Sequence, residues 1–152
     1  MQEHIGREHP AEGVFVFRGQ PTIAFLSVCA RDRAPLLANL RVNNILVASW
    51  RKADSWLVGY YLIMPDHLHL FCTPNQGEVT IEKWIAFWKG QFRRLYGPDS
   101  PRFESRGFHH RLRRNENYHD KWEYVRANPV RAGLVSRPDD WPYFGVLNEL
   151  RW

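Results

Sequence analysis

The sequence predicts a single-domain α+β fold, one antiparallel β-sheet of ferredoxin or RRM type with helices packed on one face. Three observations predict it. Apolar runs of strand length alternate with segments of helical period, and the gaps in the middle of the chain are short enough for hairpins. The 152 residues, 44% of them hydrophobic and seven of them Trp, suffice for a core without disulfide or metal staples.

Taken in order, residues 1–20 form an arm rich in Gly and charge, in which Val14–Phe17 reads as an edge strand or a docked segment. The main domain spans 21–152. Thr22 to Ala30 is a buried strand. Pro35 suits the first turn of a helix running to about Lys52, with Leu36, Leu37, Leu40 and Val47 on its apolar side. Trp56 to Met64 is a second strand, and a turn or bulge at Pro65-Asp66 lets His67 to Thr73 double back as the third. Thr80 is the expected N-cap of the next helix. Its stripe is Ile81, Ile85, Trp88, Phe92 and Leu95, and Gly97-Pro98 ends it. Arg102 to Arg114 is irregular or a short strand, basic and interleaved with aromatic rings. A last helix starts near Asn115-Glu116 and ends around Asn128, because Pro129 disfavours helical geometry in the residue before it.

Composition narrows the function. No stretch approaches the roughly 18–20 apolar residues of a membrane span. The N-terminus lacks a basic start followed by an apolar run, so no signal peptide is expected. Cys29 and Cys72 are too far apart for a metal knuckle or redox pair, which fits reduced thiols in a cytoplasmic protein. Charge is unevenly placed. Residues 89–131 hold eleven Lys or Arg against five acids, so the rest of the chain is close to neutral within a net +5. A basic half points to a polyanion, nucleic acid before membrane. Lys89, Arg93, Arg94, Arg111, Arg113 and Arg114 are the candidate contacts, chosen by density; a solvated charged face is the plainer reading of each.

Two spacings carry chemistry. His67-Leu68-His69 has a strand's period of two, so both imidazoles leave one face of the sheet while Leu68 and Leu70 enter the core. Such a pair starts a divalent metal site, although a hydrogen-bonded surface pair is the plainer reading. In the last helix Tyr118, Trp122 and Val125 make the apolar stripe, and Tyr124 and Asn128 lie together roughly 80–120° off it. There the Tyr124 hydroxyl can enter a cleft or simply meet water at the helix edge. Two imidazoles and an amide oxygen leave positions for water and a phosphate oxygen, a set suited to Mg²⁺ or Mn²⁺.

Met64-Pro65-Asp66-His67-Leu68-His69-Leu70 resembles the signature of the HUH single-strand transposases, a methionine-proline-acid or amide-His-hydrophobic-His run. Tyr124-Val125-Arg126-Ala127-Asn128-Pro129-Val130-Arg131-Ala132-Gly133-Leu134-Val135 resembles a segment of one branch, the REP-associated tyrosine transposases. Phe25 to Leu37 is similar to that branch's first strand and turn, and Asp139-Asp140-Trp141-Pro142-Tyr143 to its C-terminal element. The four motifs occur in the right order over about residues 21–145. The resemblance implies that Tyr124 is a nucleophile forming a 5′-phosphotyrosine link. It also implies that His67, His69 and Asn128 hold a divalent metal, and that the substrate is single-stranded DNA folded into a hairpin at a repetitive extragenic palindrome. It further implies a bacterial, cytoplasmic, nucleoid-associated protein, a monomer rather than a dimer, with no small-molecule cofactor. Tyr143-Phe144-Gly145 and Phe103-Glu104 depart from the branch pattern, which bears on DNA preference rather than on the chemistry. Two other readings stay open: a domesticated relative that binds structured DNA or RNA and rarely cuts, and an unrelated two-His hydrolase.

Overall fold

The computed structural model describes residues 22–112 and 117–151; the predicted N-terminal arm, with its Val14–Phe17 segment, lies outside them. Five strands, β1 (Ala24–Cys29), β2 (Trp56–Ile63), β3 (His67–Pro74), β4 (Phe108–Arg111) and β5 (Phe144–Val146), form one antiparallel sheet in the order β4-β1-β3-β2-β5. The helices are α1 (Leu40–Lys52), α2 (Ile81–Tyr96), α3 (Tyr118–Arg126) and the single turn α4 (Asn128–Arg131). The first four strands keep the ferredoxin-like order that the sequence predicts, and β5 extends the β2 edge.

Alternation along the strands makes two apolar layers. Ala24, Leu26 and Val28 of β1, with Leu68, Leu70 and Cys72 of β3, face α1 and α2 and bury Trp50, Trp84, Trp88 and Phe92. Ile23, Phe25, Leu62 and Phe71 point the opposite way and are covered by Trp122 and Val125 of α3 and by Trp141. The helices are therefore not packed on one face, as the sequence predicts, but divide between the two, and the one bearing Tyr124 stands opposite α1 and α2. Both sides of the sheet are apolar, so the pattern in sequence does not assign α3 to a face.

Local chemistry sets the helix ends. The first helix begins not at Pro35 but at Leu40, where Asn39 caps it by accepting from the Val42 N–H at 2.9 Å. Its buried stripe is accordingly Val42, Leu46 and Trp50; Leu36 and Leu40 are exposed, and Leu37 is buried from the preceding loop. Thr80 caps α2 as expected, accepting from Lys83 N at 3.1 Å. Trp84 joins the predicted stripe of α2 while Leu95 stays exposed. Asn117 caps α3 through the Asp120 N–H, and the helix breaks at Ala127, where Pro129 starts a fresh turn instead of continuing the old one.

A bulge in β2 sets how α3 docks. Val58 pairs with Cys72 and Tyr61 with Leu70, so β2 spends three residues where β3 spends two. The Tyr118 hydroxyl accepts from the Tyr60 N–H at 3.3 Å beside this bulge. Gly59 makes room for it: a Cβ there would lie 2.4 Å from that hydroxyl oxygen. Trp122 stacks on Tyr60 with centroids 4.6 Å apart. The C-terminal element closes the same corner, Trp141 Nε1 donating to the Ile63 carbonyl at 2.9 Å and Tyr143 O accepting from Ile63 N.

Candidate nuclease site

The turn between β2 and β3 is held before any side chain is considered. Met64 N–H donates to His67 O at 2.7 Å, Ala30 N–H to Asp66 O and Leu37 N–H to Pro65 O, both at 2.9 Å. The Asp66 carboxylate then divides its oxygens between His67 Nδ1 at 2.8 Å and Arg33 Nε at 3.0 Å. Burial pushes the Asp66 carboxyl up, but the hydrogen bonds from His67 and Arg33 and their charges outweigh it, so it sits below its ordinary range. Arg33 and the preceding Asp32 have φ of 52° and 58°, the left-handed region that costs non-glycine residues energy. That strain is located where the chain must turn to bring Arg33 against Asp66.

The rings of His67 and His69 are 4.9 Å apart and nearly perpendicular. His69 Nδ1 is paired with Ser27 Oγ at 2.7 Å, from the facing position on β1. With Nδ1 engaged on both rings, Nε2 is the nitrogen left for a metal, as where hydrogen-bond partners orient metal-binding imidazoles. Burial, and then the neighbouring His67, pushes His69 down to about 3, which keeps its nitrogen lone pair available. Two imidazole nitrogens on one face fit a divalent ion. Among the described residues no group of three or more His, Cys, Asp and Glu side chains could hold a metal.

Tyr124 and Asn128 form a second cluster. Tyr124 is 66% exposed, consistent with its place off the α3 stripe. The Arg131 guanidinium lies 4.1 Å over the Tyr124 ring, donates to the Tyr124 carbonyl at 2.8 Å, and donates to Asn128 Oδ1. Arg131 and Arg33 are not among the site residues that the sequence predicts. Arg131 stands in the same run, three residues after Asn128 and seven after Tyr124, so helical spacing could have found it; Arg33 depends on a long-range turn and leaves no such signal.

The two clusters share one sheet face. Tyr118 sits at the level of Phe71 and Tyr60, whereas Arg126 lies over Phe144, which pairs with Leu62 at the level of His69. The helix thus climbs the sheet toward His67. Lys121 Nζ is 5.7 Å over the Phe25 ring, and Phe25 stacks on His69 at 5.2 Å. Tyr124, three residues on from Lys121, falls on the same flank about 4.5 Å further along the axis. No hydrogen bond or ring contact joins Tyr124 or Asn128 to either histidine.

The predicted DNA contacts scatter. Lys89 and Arg93 line a groove of about 400 Å³ between α2 and residues 101–107, with Arg31, Arg102 and Arg106. Lys89 has a structural partner, donating to the Glu104 carbonyl at 2.8 Å, and burial lowers its pKa. Arg94 donates to Gln91 on the exposed side of α2. Arg111 ends β4 opposite Ala24, and Arg113 and Arg114 lie outside the described residues. No helix among the described residues is long and apolar enough to cross a membrane.

No family model matches the chain. It is 27% identical over 124 residues to a REP-associated tyrosine transposase of Escherichia coli K12, covering 78% of this chain and 73% of that one. A relative from Haemophilus influenzae, provisionally given the same name, is 28% identical over 102 residues, 59% of this chain and 58% of its own length. The fold matches that of a REP-associated tyrosine transposase solved bound to a REP hairpin, with a TM-score of 0.69 at 23% identity, over 82% of this chain and 76% of the other. A provisionally named transposase of Deinococcus radiodurans R1 aligns with a TM-score of 0.50 at 17% identity, over 73% and 94%. The motif resemblance thus extends along most of the chain and into its fold: the chain is similar in sequence and in fold to the REP-associated tyrosine transposases.

Proposed function

We propose that the protein is a metal-dependent nickase and strand transferase acting on single-stranded hairpin DNA of the REP type, with Tyr124 as nucleophile. One observation carries the reading: both imidazoles have Nδ1 engaged and Nε2 open, on the sheet face along which α3 brings an exposed tyrosine. Named relatives that are transposases, one of them solved on a REP hairpin, support the substrate class.

His67 Nε2, His69 Nε2 and Asn128 Oδ1 would hold Mg²⁺ or Mn²⁺, which supplies charge neutralisation at a non-bridging phosphate oxygen. The Tyr124 hydroxyl gives its proton to solvent and attacks phosphorus. The bond from phosphorus to the 3′ oxygen breaks, and that oxygen leaves as a 3′-OH after taking a proton from water. Bond energy stays in the 5′-phosphotyrosine, so a second 3′-OH can reverse the step without ATP. Arg131 holds the Tyr124 ring and places a fixed positive charge beside the incoming phosphate. Packing of α3 on its own sheet through Tyr118, Trp122 and Val125 favours a monomer working in cis, and a DNA substrate fits a place in the cytoplasm at the nucleoid.

The test is incubation with end-labelled hairpin DNA and Mn²⁺. A covalent protein–DNA adduct, absent in Tyr124→Phe, supports the reading, and binding without an adduct overturns it. A second reading, a domesticated binder of structured DNA or RNA that rarely cuts, is favoured by Arg131 occupying Asn128 Oδ1. It predicts tight binding that Mn²⁺ leaves unchanged.

A further inference from the structure

Phe108 is 60% exposed although it belongs to a strand. An apolar ring left in water on a strand's face, outside any core cluster, is a candidate contact surface. Its position is set by register. Ser27 faces Phe108 on one side and His69 on the other, so Phe108, Ser27 and His69 form a single row across β4, β1 and β3. His110, Phe25 and Phe71 form the next row on the same face.

These rows make a continuous track of rings. His69 stacks on Phe25 at 5.2 Å, Phe25 meets His110 at 5.8 Å, and His110 meets Phe108 at 5.4 Å. The track starts at the histidine pair and ends at the open edge of the sheet. Two interstrand spacings, about 10 Å, separate the Cα atoms of His69 and Phe108, roughly the span of one to two nucleotides of extended strand. A cation borders it, Lys121 Nζ lying 5.7 Å over the Phe25 ring. Aromatic rings beside positive charge on a sheet face are how unpaired bases are held while phosphates are tracked.

We infer that Phe108, supported by His110, is a stacking platform for one unpaired base of the DNA strand next to the phosphate at His67 and His69. The inference rests on the proposed nuclease reading and adds a base-holding residue outside the reacting groups. Stacking tolerates any base, so the platform fixes where the strand lies, and hydrogen bonding elsewhere reads sequence.

Hairpin DNA with a short single-stranded extension, carrying 2-aminopurine at one position at a time, tests it. Wild type quenches fluorescence strongly at one position near the cleavage point. Phe108→Ala loses that quenching and weakens Kd about 5- to 150-fold, and Phe108→Trp restores both. An abasic site at that position weakens wild type by the same factor and weakens Phe108→Ala no further. Quenching and affinity unchanged in Phe108→Ala, or penalties that add, overturn the platform while leaving the adduct assay of Tyr124 intact. Failure of wild type to bind the hairpin at all overturns the nuclease reading and the platform with it.

Discussion

The two faces of the sheet use the same strands for opposite ends. Toward α1 and α2, Leu26, Val28, Leu68 and Leu70 are fully buried under tryptophans whose indole N–H groups, at Trp56 and Trp84, donate to the Val79 and Ala53 carbonyls. Toward α3 the alternate residues, Ser27, His67 and His69, are only partly buried, and Phe108 and Tyr124 stand open. One residue along a strand separates a core position from a chemical one. The closed face supplies rigidity, and the half-open face borrows it to hold two imidazoles at fixed separation.

That contrast predicts separable losses. The largest falls on the open face: Tyr124→Phe lowers adduct formation at least about a thousandfold, while the melting temperature stays within a degree or so of wild type. Equal loss of stability would mean that the ring is structural. On the closed face Leu70→Ala costs about 2–5 kcal/mol in urea unfolding, yet adduct yield per folded molecule is retained. A catalytic loss as large as that of Tyr124→Phe would collapse the distinction between faces. Asp66→Asn lies between them, with Mn²⁺ affinity down about 10- to 100-fold by titration and hairpin binding largely kept; Arg33→Ala follows in the same direction by a smaller factor. The smallest effect is Tyr118→Phe, which removes one partner of the Tyr60 N–H and costs about 1 kcal/mol on unfolding, with no change in metal affinity.

The contrast also explains what the chain disclosed before folding. The histidine pair and its hairpin were legible because period two and a Pro-Asp turn are local signals. Thr80 as a cap and the α2 stripe were legible for the same reason. The start of α1 was not, because Pro35 and Asn39 are both acceptable openings and only the burial of Leu37 from a loop decides between them. The side on which α3 docks was hidden because Phe25 and Phe71 are as apolar as Leu26 and Leu70. Of the candidate site, Tyr124, Asn128 and the histidines stand out through motif and spacing. Arg33 does not, since its link to Asp66 is made by a chain reversal 33 residues long.

Trp56–Ile63 is apolar at every second position in either phase, and only the bulge at Gly59-Tyr60 decides which phase faces inward. Such a strand is sensitive to length as well as to substitution. Deleting Gly59 would remove the extra residue and restore plain alternation, with Tyr61 and Ile63 still beneath α1 and α2 and Tyr60 and Leu62 still on the α3 side. It would also strip α3 of its Tyr118 anchor. A single codon lost there would leave the core intact and α3 without its anchor, a failure that a scan of point substitutions would never sample.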